Sequence, residues 1–205
     1  MKNKIIKDAL ALTLITLVAG VALGGVYEIT KDPIARQEAQ AKAEAYEQVF
    51  TDAAAFEEIE MDDTLIQTIR DQLDQEGYKA QSIEEVMRAE DQSGETLGYA
   101  FTVVTSEGYG GDIQFSMGVQ NDGTLNGISI LSIGETAGLG MNADTPAFKD
   151  QFVGKQVEKL QYTKNGATQD DEINAISGAT VTTNAMTNGV NAGLCAFRVM
   201  EGGDQ

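Results

Sequence analysis

The chain has 205 residues and a formal net charge of -18, with no histidine and one cysteine. That acidic excess excludes nucleic acid as a partner. The missing histidine removes the usual general base and commonest transition-metal ligand, and the lone Cys195 excludes an internal disulfide or a paired-cysteine metal site.

The length suits one medium domain with an appendage. Ala9 to Tyr27 carries no charged residue, and as a helix it would span about 28 Å, close to a bilayer's hydrocarbon thickness. Lys2, Lys4 and Lys7 precede it against Asp8 alone, while Glu28 and Asp32 follow. The positive-inside rule therefore predicts a cytoplasmic tail over 1–8, a transmembrane helix over 9–27 and the remainder outside the cytoplasm. A cleaved signal peptide is the rival reading. The apolar run is long for one, and its end, Leu23-Gly-Gly-Val-Tyr27, has no clean small-residue cleavage site.

Asp32-Pro33 reads as the cap and first residue of a second helix running to Phe50, with Ala41, Ala45 and Val49 on one stripe. Another helix is expected from Asp63 to Glu76, where Leu65, Ile69 and Leu73 align and Gly77 closes it. Residues 28–78 are thus assigned to a helical stalk and linker, and 79–205 to a folded domain. Beyond Gly77 the period shifts toward two. Val86–Ala89 and Leu97–Thr105 flank the turn Asp91-Gln-Ser-Gly94, and strands are expected over Asp112–Val119 and Leu125–Ile133 about Asn121-Asp-Gly123. A helix around Ala147–Val153 follows, then a hairpin turning at Asn165-Gly166 and returning through Glu172–Ile176. Strands joined by hairpins with helices at both ends predict an α+β domain with a small, mostly antiparallel sheet.

That return leads into Ser177-Gly178-Ala179-Thr180. The residues are small, so the Thr180 hydroxyl is uncrowded, and Gly178 permits a tight turn. Ala185, Met186, Val190, Leu194 and Phe197 then fall at helical spacing, with Thr182 and Thr183 as candidate N-caps. Free N–H groups at the start of such a helix form a seat for a phosphate. Taken alone, the tetrapeptide reads first as a plain strand–turn–helix junction. Gly138-Leu-Gly-Met-Asn-Ala143 fits a dinucleotide-binding spacing, but Pro146 interrupts the helix that motif must open. Cys195 lies on the apolar face of the last helix and reads as a buried, inert thiol.

Four segments together are more specific. Gly108-Tyr-Gly-Gly-Asp-Ile113, Met117–Ile128, Glu135-Thr-Ala-Gly-Leu-Gly140 and Ser177-Gly-Ala-Thr180 resemble, in order and spacing, the FMN-binding domain family. The likeness is to the G subunit of the Rnf complex, the ion-translocating ferredoxin:NAD⁺ oxidoreductase, with the C subunit of the sodium-pumping NADH:quinone reductase as the alternative. The resemblance implies FMN joined to Thr180 as a phosphoester, with Ser177, Gly178, Ala179 and Thr182 around it. It further implies Glu135, Thr136, Gly138 and Leu139 along the flavin ring, and Lys164 toward the phosphate or a ring oxygen. It implies no catalytic residue and no metal site in the chain itself. The expected partners are the other membrane subunits of such a complex, the bilayer around 9–27, and a Mg²⁺-dependent flavin transferase that uses FAD, since nothing beside Thr180 could activate it. The chain is then an electron-carrying subunit in the cell membrane. Reversible binding of FMN by an extracytoplasmic domain is a second reading. Two departures stand out: Ala137 replaces the usual proline, and Asn174 the usual aspartate.

Overall fold

The computed structural model describes residues 2–202, in two compact units that divide between Ala41 and Lys42. The first is helical. It holds most of α1 (Lys2–Val49), the one helix among the described residues long and apolar enough to cross a membrane. Here the structure corrects the sequence reading, because Asp32-Pro33 starts no new helix and Pro33 lies inside α1. A proline removes one bond of the ladder. The Ala-, Glu- and Gln-rich run that follows has enough helix propensity to carry the turn past it.

The second unit begins at Lys42, well before residue 79. Its elements are β1 (Ala55–Glu58), α2 (Asp63–Glu76), β2 (Gln81–Glu90), β3 (Thr96–Thr105), β4 (Ile113–Gln120), β5 (Leu125–Ser132), α3 (Pro146–Lys149), β6 (Gln161–Thr163), β7 (Glu172–Asn174) and α4 (Thr180–Gly202). Five strands form an antiparallel meander in the order β1-β2-β3-β4-β5, so the domain is α+β as the strand pattern implies. The turns follow from their chemistry. Asp91 Oδ1 accepts from Ser93 and Glu95 N–H, and Asp122 Oδ1 accepts from Thr124 N–H. At α2 the Asp62 carboxylate caps Leu65 N–H at 2.7 Å, and Gly77 closes the other end.

The core lies between the sheet and α4. Phe101, Val103, Ile113, Phe115 and Met117 are fully buried with Met186, Val190 and Cys195 of α4, and α2 adds Ile69 and Leu73. Each such large side chain contributes about 2–3 kcal/mol by leaving water. Burial also pushes the Cys195 thiol up to about 12.

The opposite face of the sheet is polar. Glu85, Thr102, Ser116 and Ser129 stand side by side across β2, β3, β4 and β5. The last turns of α1 lie on this row. Lys42 Nζ meets Glu85 at 2.6 Å, Tyr46 Oη meets the Thr102 hydroxyl at 2.7 Å, and Ser129 Oγ donates to Gln48 at 2.9 Å. Burial raises the Tyr46 phenol above its ordinary range, so it stays protonated.

A second correction concerns residues 161–176. There is no hairpin about Asn165-Gly166, because β6 and β7 pair in parallel. The connecting loop folds back on itself where Glu172 Oε2 accepts the Thr168 and Gln169 N–H groups. Ala175 N–H then bonds Thr163 C=O at 2.8 Å and fixes the exit toward α4.

Candidate functional site

The turn between β7 and α4 sits where three connecting segments converge. Its own geometry comes first. Gly178 takes φ +75°, a left-handed conformation that a Cβ would strain. Ala179 N–H bonds back to Ile176 C=O at 3.1 Å. The first backbone bond of α4 is Thr183 N–H to Ala179 C=O, so the helix starts at Thr180, and Thr182 and Thr183 are inside its first turn rather than at its cap. Thr183 serves as a staple. Its buried hydroxyl accepts from Ile176 N–H at 3.0 Å and donates to Ala179 C=O at 2.9 Å.

This leaves Thr180 half-buried at the first helical position, with Ser177 and Gly178 exposed and Ala179 and Thr182 buried. Among the described residues the N–H groups of Thr180, Val181 and Thr182 have no backbone partner, as expected at a helix start. An accessible hydroxyl therefore stands beside unpaired donors at the positive end of a long helix, which suits a phosphate group.

The second segment lies between β5 and α3. The Glu135 side chain is 8 % exposed, and its Oε1 accepts from Tyr109 N–H at 2.7 Å and Gly110 N–H at 3.3 Å. Its other oxygen crowds Gly140. A Cβ built on Gly140 would lie 2.5 Å from Glu135 Oε2 and 2.6 Å from Thr182 Oγ1, so only glycine lets these two side chains close on that backbone. Leu139 reaches the turn itself, its Cδ2 3.1 Å from where a Cβ on Gly178 would sit. Thr136 shapes the segment through its carbonyl, which accepts from Leu139 N–H at 3.1 Å and Met141 N–H at 3.2 Å, while its side chain is exposed. Gly138 is an open turn residue with φ +75° and free space around it.

The third segment, between β3 and β4, carries Gly108-Tyr-Gly-Gly111. Gly110 abuts the Gly134 carbonyl too closely for any side chain. Tyr109 is 77 % exposed, and with Leu139 and Val181 it gives the site an apolar rim.

The structure thus brings Glu135, Leu139, Ser177, Gly178, Ala179, Thr180 and Thr182 together. Lys164 is exposed on the loop after β6 and makes no hydrogen bond or ion pair among the described residues. Asn174 acts at a distance from the hydroxyl. Its Oδ1 accepts from Ala167 N–H at 2.7 Å, and its own N–H donates to Gln151 at 2.6 Å. Sequence reasoning missed Tyr109, Gly140, Glu107, Asn184 and Asn188. The first two lie inside motifs already singled out, and the two asparagines are one helical turn apart, which was the available signal.

Two family models match the chain. An FMN-binding domain covers residues 108–194, and an RnfG N-terminal region covers residues 1–49. The G subunit of the Na(+)-translocating ferredoxin:NAD(+) oxidoreductase complex of Acetobacterium woodii is 32% identical over 196 residues, 95% of this chain and 92% of that protein. The G subunit of the proton-translocating ferredoxin:NAD(+) oxidoreductase complex of Clostridium ljungdahlii is 28% identical over 202 residues, 98% of this chain and 96% of that one. The C subunit of the Na(+)-translocating NADH-quinone reductase of Pasteurella multocida is 41% identical, but over 80 residues, 35% of this chain and 31% of that protein. Matched over nearly its whole length by the first two and only in part by the third, the chain belongs to the G-subunit family of the Rnf ferredoxin:NAD(+) oxidoreductase complexes.

Proposed function

We propose that the chain is the membrane-anchored, electron-transferring G subunit of an Rnf-type ion-translocating complex, with FMN bound covalently through Thr180. The observation that carries this reading is the Thr180 hydroxyl. It is the half-buried hydroxyl at the first position of α4, beside unpaired N–H groups, while those of Thr182 and Thr183 are buried in the turn behind it. The flavin supplies the redox chemistry. This chain's residues hold it: the start of α4 seats the phosphate, Leu139 and the exposed rim receive the ring, and Glu135 places a carboxylate nearby. No His is present, and no Lys or Arg hydrogen-bonds to the turn among the described residues. Attachment is accordingly the work of a separate flavin transferase that uses FAD.

Residues 9–27 form the membrane span, residues 1–8 stay in the cytoplasm and the flavin domain lies outside, in line with Lys2, Lys4 and Lys7 before the span and Glu28 after it. The other membrane subunits of the complex are its partners. Intact-protein mass spectrometry tests the attachment. The Thr180→Val variant should lack the mass of FMN and Thr182→Val should retain it. Flavin still covalently bound to Thr180→Val would sink the assignment.

A further inference from the structure

A closed ring of contacts leaves α4 and returns to it through two acidic side chains. On the outward arm, Glu107 Oε2 accepts from Asn188 Nδ2 at 2.7 Å and from Asn184 Nδ2 at 3.4 Å. These amides lie one and two turns beyond Thr180 on the same helix. Glu107 leads directly into Gly108-Tyr-Gly-Gly111, whose Tyr109 and Gly110 N–H groups hold Glu135 Oε1. The return arm runs through the Gly140 backbone, on which both Glu135 Oε2 and Thr182 Oγ1, in the first turn of α4, close.

We infer that Glu107 is a positioning residue, a latch that pins the Gly108–Gly111 loop to α4 and so fixes where the Glu135 carboxylate stands relative to Thr180. Three observations carry this. The bonds join segments far apart in sequence at a half-buried carboxylate, where a charged acceptor binds more strongly than a neutral one. Among the described residues no Lys or Arg forms an ion pair with Glu107 or Glu135, so amides hold both carboxylates in place without cancelling their charge. The loop has no slack, because Gly110 meets Gly134 and a Cβ on Gly108 would lie 3.1 Å from Glu135 Oε1. Release at Glu107 is therefore passed on to Glu135.

The test uses the full-length chain in lipid nanodiscs, before and after flavin attachment. Amide hydrogen exchange is followed in peptides covering 107–112, 113–120 and 180–190. Asn188→Ala, which removes one charge-assisted hydrogen bond, should speed exchange in 107–112 by about tenfold, and Glu107→Ala, which removes both, by at least as much, with the other two peptides unchanged. Glu107→Gln, which keeps an acceptor oxygen, should stay within about threefold of the parent. Unchanged exchange in Glu107→Ala, or acceleration in all three peptides, overturns the latch. This arm needs no flavin. The second arm rests on FMN at Thr180: Asn188→Ala, which alters no charge, should shift the flavin midpoint potential. A released loop with an unmoved potential overturns the positioning role, whereas absence of FMN from the parent refutes the flavin reading and leaves the exchange result standing.

Discussion

The Ile176 N–H donates to the Thr183 hydroxyl at 3.0 Å, tying the chain that enters the turn to the helix that leaves it. Thr183→Val keeps the shape and removes this acceptor, leaving a buried N–H unpaired at a cost of about 1–3 kcal/mol. The melting temperature should fall, and flavin incorporation should become incomplete. Thr183→Ser should restore both. Thr180→Val should do the reverse, leaving the melting temperature at the parent value and the flavin absent. Calorimetry paired with intact mass separates the two roles, and a Thr183→Val protein as stable as the parent would rule out the staple.

Glu135→Gln retains an oxygen for Tyr109 and Gly110 N–H while losing a negative charge beside the site. The extent of flavin attachment should be unchanged, and the midpoint potential should rise, since reduction adds negative charge. Redox titration at matched pH is the check, and an identical potential would count against a carboxylate near the ring.

Gly140→Ala forces a methyl group against Glu135 Oε2 and Thr182 Oγ1. Overpacking of this kind destabilises by about 1–3 kcal/mol, which denaturant titration would register. Gly138→Ala, with open space around it, should cost only the strain of its positive φ. Equal losses in the two variants would mean that Gly140 is not crowded.

Acid stability should hinge on carboxylates held below their usual range. For Glu76, burial raises the pKa, but the Arg198 guanidinium at 2.9 and 3.1 Å, with help from Gln72, outweighs it and holds the group below 4.5. Hydrogen bonds do the same for Asp91, chiefly from Ser93, for Asp122 from Thr124 and for Glu172 from Thr168. A depressed folded pKa stabilises above the unfolded value and stops doing so as pH falls through the folded one. Melting temperature should thus be flat from pH 7 to about 5 and fall below about 4.5. Glu76→Gln should start lower and fall less steeply, and a parallel curve would contradict the pairing.

Membrane orientation can be read with one added thiol. Glu38→Cys places an exposed cysteine on α1 beyond the apolar run. The native Cys195 needs no replacement, because it is buried and its thiol is pushed up to about 12, leaving almost no thiolate to react. An impermeant maleimide should label the variant in intact cells and leave the parent unlabelled. Labelling only after lysis would invert the topology.

Local chemistry was legible in the sequence wherever a side chain bonds its own neighbourhood. Gly77 closes α2, Asp91 and Asp122 build their turns, and Ser177–Thr180 marks the junction with α4. What stayed hidden depends on distant partners. Strand β1 has only four residues, Ala-Phe-Glu-Glu, and exists because the edge of β2 pairs with it. The parallel course of β6 and β7 rests on pairing between residues 161–163 and 172–174, closed by Ala175 N–H on Thr163 C=O. The bonds of Glu107 reach 77 and 81 residues along the chain, and no periodicity announces them.

The polar row under α1 limits how this part of the chain can vary in length. Lys42, Tyr46 and Gln48 each meet a different strand. Successive helical residues are about 100° apart around the axis. One residue inserted or deleted between Lys42 and Gln48 would swing some of these side chains off their strands while leaving the others seated, and no sliding of the helix could recover them all. Related chains should therefore keep this stretch free of gaps even where its residues change.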